Sequence, residues 1–215
     1  MGKKFAVKLA AALTLTMGAV ATPAMGQSAG SWSLGASVGW VIPKANNGSI
    51  AGGALRTDIG NDIKPTFTVE YFVLDNLGIQ LLGAVPFAQT VRINGEHVGN
   101  VQHLPPALYL QYHFRGLLGL LSPSLAYITP FAGVGVEHSF IYDEDFNAPF
   151  SGVHVRDSTS YTFHGGLDFT VKKNQAVRFD IYYINIDSKI RAGTTTIGTT
   201  HIDPLVWNVG YVWTF

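Results

Sequence analysis

The sequence predicts an all-β fold, an eight-stranded antiparallel transmembrane β-barrel of the bacterial outer membrane. Three observations predict it. The chain opens on a segment patterned like an export signal, it then alternates apolar and polar residues in period two, and it ends on an aromatic, Phe215, in the apolar register.

The export pattern comes first. Lys3, Lys4 and Lys8 form a positive region, and Leu9 to Val20 is an apolar and small-residue run. Ala24-Met25-Gly26 then supplies the small-x-small pattern that a signal peptidase reads. The expected division is a signal peptide over residues 1–26 and a barrel domain over 27–215. The competing reading is a membrane-anchoring helix. It is disfavoured because the run is short and stops at Thr22 and Pro23. Beyond Gly26 no uncharged apolar run reaches the ~18 residues that a spanning helix needs.

Composition narrows the function classes. Net charge is zero and charged residues make up 13%, about half the usual share of a soluble domain. No basic excess marks a nucleic-acid partner. Without cysteine the chain has no disulfide, thiolate metal site or thiol nucleophile.

The strands follow in order. From Trp32 to Ile42 the even positions are Trp32, Leu34, Ala36, Val38, Trp40 and Ile42, against mostly Ser and Gly at the odd ones. The same alternation recurs around Phe67-Val69-Tyr71, Leu77-Ile79-Leu81, Leu108-Leu110-Tyr112, Ala132-Val134-Val136 and Tyr161-Phe163. It returns at Val177-Phe179-Ile181-Tyr183 and at Leu205-Trp207-Val209-Tyr211-Trp213-Phe215. These segments approach the length of a tilted membrane strand. Leu74-Asp75-Asn76 and Lys172 to Gln175 read as tight turns. Residues 44–63, 87–103, 143–159 and 187–202 read as long loops rich in Gly, Asn, Asp and Thr. Short turns on one side and long loops on the other is the outer-membrane arrangement. The link from Arg115 to Thr129 is long and apolar, and reads either as strand extension or as a helical turn at the interface.

The charges decide which face is outside. Glu70, Glu137, Asp168, Arg178 and Asp180 fall on the polar face, whereas the other face carries Trp, Tyr, Phe, Leu and Val. A mid-membrane Arg or Lys facing lipid costs roughly 2–4 kcal/mol, so the apolar face belongs to lipid and the charges to the lumen. A soluble lipocalin-like barrel would have to crowd the aromatics of every strand into one small lumen. The outward ending Tyr211-x-Trp213-x-Phe215 resembles the signal that the barrel-assembly machinery reads.

Blocks of the chain also look familiar. TFTVEYFVLDNLGIQLLGAVPF (66–87), HLPPALYLQYHF (103–114), PFAGVGV (130–136), YYINID (182–187) and IDPLVWNVGYVWTF (202–215) resemble the outer-membrane protein W (OmpW) family. The resemblance implies an eight-stranded barrel with a narrow, hydrophobic lumen, associated with passage of small hydrophobic molecules across the outer membrane. It covers the chain from the second strand onward, and the first strand and long loops match loosely.

The inward register gives partial independent support. Leu82, Ala84, Tyr182 and Ile184 point inward, and Val41, Phe72 and Tyr109 share that parity. Leu82, Tyr182, Ile184, Phe72 and Tyr109 are therefore the candidate ligand-binding residues. Glu70, Asp168, Arg178 and Asp180 are the candidate lumen charges, expected to plug the periplasmic half by ion pairs, because barrels this small are filled by side chains. A blocked lumen would send a ligand sideways into the membrane. His103-Leu104-Pro105-Pro106 is the place where ladder pairing should break, since proline has no N–H to donate; the motif either opens a lateral gap or simply starts the fourth strand, and the second reading is favoured.

No enzyme is predicted. Glu137, His138 and Ser139 hold triad residue types, but His138 must face away from its two neighbours on a strand. His164 is inward and alone, and the seven histidines show no metal-ligand spacing, so no metal or cofactor is expected. The expected partners are outer-membrane lipid, the assembly machinery and small hydrophobic molecules. The alternative is a structural or receptor barrel whose long loops hold an external partner.

Overall fold

The computed structural model describes residues 27–215. The predicted signal peptide and its cleavage point after Gly26 lie outside the described residues. The chain forms β1 (Trp32–Ile42), β2 (Gly48–Ile50), β3 (Leu55–Ile59), β4 (Asp62–Leu74), β5 (Leu77–Ala84), β6 (Phe87–Ile93), β7 (Glu96–Leu104) and β8 (Ala107–His113). A short helix α1 (Leu117–Leu121) leads into β9 (Ile128–Phe146), β10 (Val153–Val155), β11 (Ser158–Lys172) and β12 (Gln175–Ile184). The chain then runs through β13 (Asp187–Ala192), β14 (Thr195–His201) and β15 (Leu205–Thr214).

Eight of these strands close into a barrel. β1 pairs with β4, β4 with β5, β5 with β8, β8 with β9, β9 with β11, β11 with β12, and β12 with β15. β15 then pairs back with β1, from Ser33↔Thr214 to Ile42↔Leu205. All pairings are antiparallel, so no strand edge is left unpaired in this ring. Phe215 completes the seam, exchanging both backbone hydrogen bonds with Trp32 at 2.8 Å.

The alternation sorts as expected. Outward residues such as Val38, Phe67, Leu81, Val134, Phe179 and Val209 are exposed, while their polar neighbours are buried in the lumen. Aromatics gather at both ends of this outward band. Trp32, Tyr71, Tyr112, Phe169 and Trp213 sit near the tight turns; Trp40, Tyr161, Tyr183 and Trp207 sit near the other end. Two such girdles flank the apolar band of outer-membrane barrels.

The turns fix the orientation. β4 and β5 are joined through Asp75-Asn76, with Asn76 in the left-handed region (φ 63). β11 and β12 meet across Lys172↔Gln175. This end, which also carries the N- and C-terminal ends of the described chain, is the periplasmic one by the short-turn rule. Of the two readings of the link from Arg115, the helical turn holds, and strand resumes only at Ile128. The link carries α1 and a 3-10 turn, Pro123–Leu125. Leu117, Leu120 and Leu121 are exposed on it, beside the periplasmic aromatic girdle.

The long extracellular connections correct the loop expectation. Residues 44–63, 87–103, 143–159 and 187–202 contain seven further strands rather than open loops. They pair in the order β10-β13-β14-β2-β3-β6-β7-β9 and extend the wall above the barrel. The reason is local turn chemistry. Asn94-Gly95, both at positive φ (51 and 85), closes the β6–β7 hairpin across Ile93↔Glu96, as a two-residue turn requires. Gly193 (φ 60) does the same between β13 and β14. This extension has its own apolar interior, built on Ile50, Ile93, Val98 and Ile190.

Candidate functional site

The lumen has three layers, and the lowest is polar. Arg178 on β12 forms a two-pronged ion pair with Asp168 on β11, Nε to Oδ1 at 2.7 Å and Nη2 to Oδ2 at 2.8 Å. Its Nη1 donates to Gln80 Oε1 across the lumen (3.0 Å), and its guanidinium lies 4.3 Å over the Phe131 ring. Glu70 does not meet Arg178. It accepts from the Gln111 amide at 3.0 and 3.1 Å and lies 2.9 Å from His113 Nε2. Asp180 accepts from the Tyr182 hydroxyl at 2.8 Å. Each of these charges is buried, and the network spans the lumen from β4 to β12. Buried charges persist only when paired and hydrogen-bonded, so this layer is rigid packing rather than an open pore. Below it a polar vestibule of about 250 Å³ opens to the periplasm, with Asp168 and Arg178 at its wall.

Above the plug lies an aromatic layer. His164 stacks on Tyr182 (4.8 Å, interplanar angle 13°), and Tyr109 stands 4.4 Å from His164 and 5.5 Å from Tyr182. Small residues on β9 make this possible. A β-carbon at Gly133 would strike the His164 ring, and one at Gly135 would strike Tyr109 and the Leu108 carbonyl.

The third layer is apolar. Val41, Leu82, Phe87, Ile184, Ile202 and Val206 close around the lumen above the rings of Tyr109 and Tyr182. Three small cavities climb from here into the extension, with about 20, 30 and 30 Å³ of free space. The lower two share His103, and the upper two share Thr57, Val91, Val155 and Ile190. Together they make one apolar column from the outer end of the molecule down to the aromatic layer. Each holds little more than a water, so the column is packed in this conformation.

The wall is broken beside this chamber. The β5–β8 ladder ends at Leu82↔Ala107, and the β6–β7 ladder starts at Phe87↔His103. Among the described residues no backbone hydrogen bond joins residues 83–86 to residues 104–106. Pro86, Pro105 and Pro106 stand there and have no N–H to give. The two lips are held from behind instead, Val85 N to Pro65 O (3.0 Å) and His138 N to Pro106 O (3.0 Å). Pro105 also lines the lowest cavity, so the break adjoins it. The matching passage from β12–β15 to β13–β14 is bridged by Ile184 N to Pro204 O (3.3 Å) and Ile202 N to Ile186 O (2.9 Å).

The sequence-predicted residues divide accordingly. Leu82, Tyr182, Ile184 and Tyr109 come together in one buried cluster. Phe72 does not join them. It is two residues past Glu70 toward the periplasmic turn, under the plug, with its ring 5.2 Å from His113. Of the lumen charges, Asp168 and Arg178 pair, whereas Glu70 and Asp180 are held by neutral partners or histidine. Gln80, Gln111 and His113, absent from the sequence-predicted set, complete the plug. Their inward parity was the available signal.

Glu137 and Ser139 face the lumen, and His138 faces out toward Thr159. The histidine that Ser139 does meet is His103 on β7, Nε2 to Oγ at 3.0 Å. Ser139 donates its single proton to Glu137 Oε1 at 2.7 Å. A catalytic triad needs the reverse order, with histidine accepting from serine and the carboxylate bonded to the other ring nitrogen. Among the described residues no group of three metal-ligating side chains comes together.

A closed ring of eight antiparallel strands, with a lipid-facing apolar band, paired aromatic girdles and a side-chain-filled lumen, defines a small outer-membrane β-barrel. Comparison with known proteins gives the particular kind. A sequence model of the OmpW family matches residues 28–215, and the chain belongs to that family. It is 28% identical over 220 residues to outer membrane protein W of Salmonella typhimurium, covering 97% of this chain and 99% of the relative. It is 27% identical over 180 residues to outer membrane protein AlkL of Ectopseudomonas oleovorans, covering 78% and 74% of the two chains. The crystal structure of OprG from Pseudomonas aeruginosa shares the fold at a TM-score of 0.73 and 22% identity, covering 88% of this chain and 98% of that one. The protein is thus a bacterial outer-membrane barrel.

Proposed function

We propose that this barrel takes up small hydrophobic molecules from the outer side, holds them in the apolar chamber, and releases them sideways into the membrane through the proline break. One observation carries this. The apolar column stops on an aromatic layer above a polar plug held by the Arg178–Asp168 pair, and a gap in the wall ladder between residues 83–86 and 104–106 adjoins its lowest cavity. Axial passage would require breaking the buried Arg178–Asp168 pair. Sideways passage requires only that packed side chains shift. Leu82, Ile184, Tyr182 and Tyr109 form the binding surface, and the plug keeps the periplasmic path shut. Ser139 donates its proton to Glu137, an order that does not activate it as a nucleophile, which supports a conduit rather than a catalyst. Tyr211, Trp213 and Phe215 serve delivery and closure of the barrel.

The test is uptake. Vesicles carrying the purified barrel should take up a small alkyl or aromatic compound faster than empty vesicles. Leu82→Arg, which sets a charge into the chamber, should abolish the gain while the barrel stays folded. Replacing Pro105 by Ala puts back an N–H that faces the 83–86 lip, since the backbone of residue 106 already faces His138 on β9, and should slow uptake. Undiminished uptake in Leu82→Arg would sink the chamber, and undiminished uptake in the proline variant would sink the sideways exit. A receptor barrel would instead lose function only when the extracellular extension is shortened.

A further inference from the structure

The chamber is not uniformly apolar, and its polar spot has a definite hydrogen-bond polarity. Glu137, Ser139 and His103 are 1%, 0% and 3% exposed, at the level of Ala107 and Phe87 in the apolar layer. The proton positions follow from the bond order. A hydroxyl has one proton, and that of Ser139 goes to Glu137 Oε1. The 3.0 Å bond to His103 must therefore be donated by His103 Nε2–H. In neutral His103 this makes Nδ1 the bare acceptor. Among the described residues Nδ1 of His103 and Oε2 of Glu137 have no hydrogen-bond partner. Two buried acceptors thus stand unmet within one cluster, and His103 lines both of the lower cavities. Leaving a buried polar atom unmet costs about 1–3 kcal/mol, so a fold retains such atoms where something else meets them.

We infer that the chamber selects molecules with an apolar chain and a hydrogen-bond-donating head, of the alkanol type, and that His103 and Glu137 are the acceptors for that head. The inference rests on the chamber proposed above and adds its preference. A pure hydrocarbon fills the apolar part and leaves both acceptors unmet. An ether of equal length brings only another acceptor. An alkanol brings an O–H. The Ser139 bond holds Glu137 and His103 in this arrangement.

The experiment compares 1-octanol, octyl methyl ether and n-octane on the full barrel in lipid nanodiscs, with the imidazole nitrogens labelled. Affinity is expressed against mole fraction in the lipid, which removes the difference in partitioning. Octanol should bind about tenfold more tightly than the ether or octane, the return for one buried acceptor being met. Its binding should shift the Nδ1 resonance of His103, whereas octane should leave it in place. In His103→Phe the octanol-to-ether ratio should fall to about one, and in Ser139→Ala it should fall part of the way. Equal affinities for octanol and ether in the native barrel overturn the inference while the apolar chamber stands, as would happen if water already serves the two acceptors. A tenfold preference that persists in both variants also overturns it. Binding of none of the three overturns the chamber itself, and this preference with it.

Discussion

The two halves of this lumen are built from opposite materials. The lower half is filled by Glu70, Gln80, Gln111, His113, Asp168 and Arg178, each tied to a neighbour on another strand. The upper half is filled by Leu82, Phe87, Ile184, Ile202 and Val206, which touch without directional bonds. Directional bonds between buried charges have one good arrangement, and rearranging them leaves charges unpaired. Apolar contacts are exchanged for other apolar contacts at little cost. One half is therefore suited to stay shut and the other to admit a guest.

Three substitutions test that contrast, in falling order of expected effect on stability. Arg178→Ala strips Asp168 of its partner and should cost about 3–5 kcal/mol, read as a lower urea midpoint of the barrel in vesicles. An unchanged midpoint would mean that the plug is not the rigid half. Tyr182→Phe keeps the ring on His164 but removes the bond to Asp180, and should cost about 1.5–3 kcal/mol in the same measurement. This residue joins the two halves, so its effect should fall between theirs. Ile184→Val removes one methylene from the chamber and should cost only about 0.5–1.5 kcal/mol, while changing the uptake rate more than either of the others does. If the plug variants alter uptake more than Ile184→Val, the division of labour fails.

Much of this was legible in the sequence, and the limits have physical causes. Period-two alternation gives the face of each residue, so Leu82, Tyr182 and Ile184 could be assigned inward from the sequence. Parity does not give depth. Phe72 shares the inward face but ends under the plug, because depth is set by strand pairing such as Glu70↔Gln80, which alternation does not reveal. The Gly, Asn and Thr content of the extension is that of loops, which masks its strands in the sequence. Asn94-Gly95 between Ile93 and Glu96 was the signal for a hairpin. Missing that hairpin also hid the His103–Ser139 contact, since it depends on β7 lying along the upper part of β9.

The seam between β1 and β15 has a consequence for how the molecule comes into being. Ser33 and Thr214 share a hydrogen bond at 2.7 Å although they are 181 positions apart in the chain. Contacts between such distant positions are the slowest to form. Until this one forms the sheet has two open edges, which hydrocarbon does not tolerate. Pairing of Trp32 with Phe215 is therefore what removes both edges at once, and the barrel is compatible with hydrocarbon only as a closed ring.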